Sequence, residues 1–100
     1  MSVKIVKFLS GQEIICKVDA NIATLPGHVA VSSPLTIQPM KQQDGRFSIG
    51  LMPFSWAGQG DVIHLRDAHI LCQMEAEPDL EKQYLASLSG IVIPEERITL

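Results

Sequence analysis

The side chains of this 100-residue chain that could do chemistry are few: three histidines, two cysteines, scattered serines and one tight Arg66-Asp67 pair. His64 and His69 flank that pair and would approach each other if the flanking segments formed a hairpin. Zinc needs three or four N, S or O ligands at set spacing, and neither Cys16 nor Cys72 supplies one, so no metal site is expected. Both cysteines fall in apolar runs and outside any CxxC, which predicts two reduced, buried thiols. No serine sits in a G-x-S-x-G elbow, and Gly45, Gly50, Gly58 and Gly60 do not have phosphate-loop or dinucleotide spacing. The acids between Glu75 and Glu81 suit a solvated helix start better than a general acid–base pair. The chain therefore reads as non-enzymatic and free of cofactors.

Two residues have a binding chemistry instead. Arg66, on a short connection, could contact a phosphate or stack on a base; it could equally pair with Asp67 or with a neighbouring subunit. Trp56, in the sequence SWAGQG, could stack on a base or fold back as core or interface. Net charge is −3 and there is no basic run, so nucleic-acid binding would have to rest on local loops and stacking. Apolar residues make up 46% of the chain and charged residues 19%, a globular profile. So much apolar surface is hard for a small domain to hide, which points to an oligomer interface. Lys4 and Lys7 interrupt the first apolar residues, and no run approaches the ~20 residues that cross a bilayer. A cytoplasmic protein without membrane contact is expected.

The elements that would position these residues are mostly strands. Val3–Leu9 and Gln12–Val18 are β-branched runs around Ser10-Gly11, the pattern of a hairpin. His28–Val31 and Leu35–Ile37 alternate on either side of Ser32-Ser33-Pro34, which predicts one bent strand or two short ones. Pro39–Gly45 reads as a polar loop and Arg46–Phe54 as a strand. Asp61–Met74 holds two apolar runs parted by Arg66-Asp67-Ala68, hence two short strands with a tight connection. Pro78–Leu88 places Leu80, Tyr84, Leu85 and Leu88 at helical spacing, with Gly90 as its stop. Ile91–Ile93 is a final strand or a docking tail. The expected fold is a single all-β domain: a small, strongly bent, five-stranded antiparallel barrel over about residues 1–74, with a C-terminal α-helix and tail over 75–100.

Leu9-Ser10-Gly11-Gln12 followed by Ile14-Ile15-Cys16-Lys17-Val18-Asp19 resembles the first conserved segment of Sm-like (LSm and Hfq-type) proteins. Leu65-Arg66-Asp67-Ala68-His69-Ile70 resembles the second, although Asp67 stands where that family has glycine. Over nearly the whole chain, SGQEIICKV, SPLTIQP, GLMPF, a Pro-x-Leu helix with tyrosine and a closing SGIVIP resemble the small Sm-like proteins of phage (cyanophage-like) genomes. The resemblance implies a bent barrel in a homo-oligomeric ring of roughly five to seven subunits, closed by strand pairing between neighbours. It implies single-stranded RNA held at the pore by two loops. In this sequence those positions are Asp19, Asn21 and His28 in the first loop, and Arg66, Asp67 and His69 in the second. The alternative is an oligomeric assembly module that keeps the ring without binding RNA.

Overall fold

The computed structural model describes residues 2–19, 24–55, 58 and 62–89. Strands β1 (Ser2–Phe8) and β2 (Glu13–Val18) form the expected hairpin, in register from Ser2 opposite Val18 to Lys7 opposite Glu13. Its turn closes through the Gly11 N–H, which donates to the Phe8 carbonyl at 2.9 Å. Gly11 has φ +93°, a conformation that a side chain would strain.

Strand β3 (His28–Lys41) is a single bent strand of 14 residues. The bend is at Ser33-Pro34. Ser33 takes φ +51°, and the ladder to β2 shifts register between Ile15 and Lys17. On its other side β3 pairs first with β5 (Val62–Arg66) and then, beyond the bend, with β4 (Phe47–Pro53). Pro34 thus falls where neither ladder asks for its missing N–H. The polar loop expected over Pro39–Gly45 is shorter than that: Pro39, Met40 and Lys41 still pair with β4, and the turn is confined to Gln42–Arg46. Composition alone marked those three residues as loop, but their ladder partners Ile49, Ser48 and Phe47 extend the strand.

Strand β6 (Ile70–Glu75) pairs with β1, from Lys4 opposite Glu75 to Phe8 opposite Ile70. The result is an open antiparallel sheet in the order β4-β3-β2-β1-β6, with β5 continuing the β4 edge. The two strands expected within Asp61–Met74 are present, but they are not paired as a hairpin. Both run in the direction of β2, and they lie on opposite edges of the sheet. The connection is one turn of 3-10 helix, Asp67–His69, because Arg-Asp-Ala lacks the positive-φ residues that a tight hairpin turn needs.

That connection dictates curvature. Four strand spacings separate β5 from β6, about 19 Å in a flat sheet. Three residues of 3-10 helix rise only about 6 Å. The sheet must curl until its two edges meet at this turn.

Both faces of the sheet are covered at its centre. Val6, Ile14, Cys16, Val31 and Leu65 pack together inside the curl. Ile5 and Ile15, on the opposite face, pack with Leu80 and Tyr84 of helix α1 (Pro78–Leu88). Burial on both faces explains why Ile14-Ile15-Cys16 is a continuous apolar run rather than an alternating one. The helix begins where Glu77 accepts from the Asp79 and Leu80 N–H groups, both at 3.1 Å, with Pro78 in the first turn. Its buried face is narrower than the spacing suggested: Leu80 and Tyr84 are buried, whereas Leu85 and Leu88 stay exposed. Leu85 points about 100° away from Tyr84 around the axis. Cys16 is buried as expected, but Cys72 is exposed, since β6 is an edge strand with little packed on it. Gly90, Ile91–Ile93 and Trp56 lie outside the described residues. No helix among the described residues is long and apolar enough to cross a membrane.

Candidate functional site

The Asp67–His69 turn gathers most of the residues singled out from the sequence. On one side it meets the segment leading into β3. Leu25-Pro26-Gly27-His28 is a type II turn: the His28 N–H donates to the Leu25 carbonyl at 3.0 Å, and Gly27 has φ +72°. That turn aims the Gly27 carbonyl at Asp67, whose N–H donates to it at 3.0 Å. His28 stands opposite Arg66 in the ladder. Its Nδ1 lies 2.9 Å from the Pro26 carbonyl, which can only accept, so Nδ1 is the donor in this contact.

On the other side the turn meets the β1–β2 hairpin, where the Leu9 N–H donates to the His69 carbonyl at 2.9 Å. Two backbone hydrogen bonds thus pin a three-residue turn between two loops that are distant in sequence. Arg66, Asp67 and His69 present exposed side chains there. Asp19 leaves β2 at the same end of the sheet and is half-buried. Asn21 lies outside the described residues.

Some expected relationships are absent. His64 pairs with Ala30 in the ladder to β3, while His69 follows the turn toward β1, so the two histidines do not face each other across a hairpin. Among the described residues no cluster of three His, Cys, Asp or Glu side chains could hold a metal ion. Ion pairs among those residues are Lys4–Glu75, Lys7–Glu13 and Arg46–Asp44. Arg66 is in none of them, and the Arg66–Asp67 bridge considered above is not formed. Its charge stays available to a ligand or neighbour.

Beside His69 lies a cleft of about 320 Å³ lined by Phe8, Leu9, Ser10, Gln12, Phe54 and His69. Phe8 and Phe54 form its aromatic wall, their ring centroids 6.3 Å apart and their planes tilted by 28°. The Gln12 N–H donates to Ser10 Oγ at 3.4 Å, and Gln12 Nε2 donates to Thr36 Oγ1 at 3.3 Å. Sequence reasoning did not single out Phe8, Gln12 or Phe54. Phe8 closes β1 and Phe54 follows β4, and nothing in their spacing announces that the curl brings them together. Burial pushes the Cys16 thiol up to about 12 and also raises the Tyr84 hydroxyl, with a smaller contribution from Cys16. Both groups are packing residues, protonated at neutral pH.

A scan against protein-family models and a search of curated proteins both return no match.

Proposed function

We propose that this chain is a non-enzymatic, Sm-like, ring-forming protein that binds single-stranded RNA through the loops around the Asp67–His69 turn. The observation that carries this reading is the turn itself: three residues join the two opposite edge strands of one curled sheet. A curled, open six-stranded sheet of this kind, one strand more than the five expected, leaves the outer sides of β4/β5 and of β6 unpaired. Exposed apolar residues lie along both: Met52 and Val62 on one edge, Leu71 and Met74 on the other. Pairing one edge with the other edge of the next copy is heterologous, and such contacts form a ring when the rotation between copies closes. The turn between the edges then faces the axis in every subunit. Arg66 would supply charge to the phosphates, and His28 and His69 would supply hydrogen bonds and stacking surface.

A second reading keeps the ring and omits the RNA. It is favoured by the net charge of −3 and by Asp67, a carboxylate next to the proposed phosphate contact. Titrating oligo-U and oligo-A RNA at two salt concentrations separates the two. The RNA reading expects affinity tighter than the ~10⁻⁴–10⁻⁶ M of non-specific binding, falling with salt and weakened by Arg66→Ala. Affinity no better than that, unchanged in Arg66→Ala, leaves the assembly reading.

A further inference from the structure

We infer that the cleft beside His69 is a binding site for a single nucleobase, whether it arrives in a free nucleotide or in a strand. Its size is at the small end of ligand pockets, which run from about 300 to 1,000 Å³, and suits one planar ring system. Its walls have two characters. Phe8 and Phe54 are partly buried against the core cluster inside the curl, so their rings are held in place by packing. Aromatic stacking separates centroids by about 4.5–7 Å, so no third ring fits between rings already 6.3 Å apart. A ligand ring extends this stack from its open side.

The rim is polar. Gln12 uses one amide proton on Thr36 Oγ1, leaving its Oε1 and second N–H for a ligand. Ser10 Oγ accepts from the Gln12 N–H, leaving its own proton to donate. The His69 ring is exposed at the third side. A planar base offers several donors and acceptors around one edge and matches this rim. A phenyl or aliphatic side chain of a protein partner would cover the three groups and leave them unpaired, at a cost in affinity. The site shares His69 with the proposed RNA-binding turn but does not need Arg66. It binds a base without requiring a strand.

The test is a ¹H–¹⁵N NMR titration of the full chain with adenosine and uridine monophosphates, N-acetylphenylalaninamide, and oligo-A and oligo-U. A mononucleotide should shift the Leu9, Ser10, Gln12 and His69 resonances saturably, and N-acetylphenylalaninamide should bind more weakly. Gln12→Ala, at an exposed position, should weaken the mononucleotide roughly three- to tenfold, the loss of one hydrogen bond. Phe54→Leu, which keeps apolar volume and removes the flat face, should weaken it at least roughly fivefold. Unmoved cleft resonances, undiminished binding in Gln12→Ala and Phe54→Leu, or tighter binding of N-acetylphenylalaninamide would each overturn the inference. Oligonucleotides that respond to Arg66→Ala but to neither cleft variant also overturn it, while leaving the RNA reading intact. Mononucleotides seated in the cleft, with oligonucleotides binding no tighter, support it and count against the RNA reading.

Discussion

The Tyr84 hydroxyl donates a 2.6 Å hydrogen bond to the Ser33 carbonyl, joining the buried face of α1 to the residue that bends β3. Ser33 is also the only described non-glycine residue with positive φ, at +51°. The helix thus clamps the sheet at the bend of β3. Tyr84→Phe should cost about 1–2 kcal/mol, since it removes the donor and leaves a part-buried carbonyl short of a partner. Ser33→Val should lose more than about 1 kcal/mol, because a β-branched side chain resists positive φ, whereas Ser33→Gly should lie within about 1 kcal/mol of the parent. Urea unfolding of the three variants checks the order.

Gly27 carries a second prediction. A Cβ added there meets nothing within 4 Å, so the cost of Gly27→Ala is purely one of backbone conformation at φ +72°. A loss of about 1–2 kcal/mol is expected. Because the Gly27 carbonyl receives the Asp67 N–H, the substitution should also loosen the Asp67–His69 turn. Amide exchange at Asp67 should then accelerate more than exchange in β1 and β2.

The two thiols should behave differently. Cys72 is exposed on the β6 edge of a single subunit and should react with a thiol reagent where that edge is uncovered, more slowly once the ring has formed, while Cys16 should react only on unfolding. Counting modified thiols with and without denaturant checks this, and Cys72→Ser should abolish the native reaction.

Cys16 also sets an alkaline limit. Burial raises its folded pKa from 9.0 to about 12, so above pH 9 the unfolded chain loses this proton first. Stability from this group is complete below pH 9 and falls as pH rises toward 12. Tyr84, raised from 10.0 by burial, acts in the same direction at higher pH. Melting temperature measured from pH 7 to 11 should be level at first and then decline, with a shallower decline in Cys16→Ala relative to its own value at pH 7.

Local chemistry made much of this legible beforehand. Ser10-Gly11 marked the first hairpin, Ser33-Pro34 marked the bend, and the Glu77-Pro78 start marked the helix. The partners of β5 and β6 were not legible. Whether two adjacent strands pair with each other or with distant ones depends on how far the sheet curls, and that is a property of all the ladders together. The same curl brings Phe8 to Phe54 and Leu9 to His69, so the cleft could not be read from spacing. That Arg66, Asp67 and His69 lie at a short exposed connection could be read, because Arg66-Asp67-Ala68 is the polar break between two apolar runs. Cys72 was misjudged because an apolar run in an edge strand need not be buried by its own chain.

Those uncovered edges make the central claim measurable. Light scattering on the purified full chain should give a mass of roughly five to seven times the 11.0 kDa subunit, the closed heterologous ring that pairs β4/β5 of one copy with β6 of the next. A monomer mass at micromolar concentration would contradict the ring, and with it both the RNA-binding and the assembly reading.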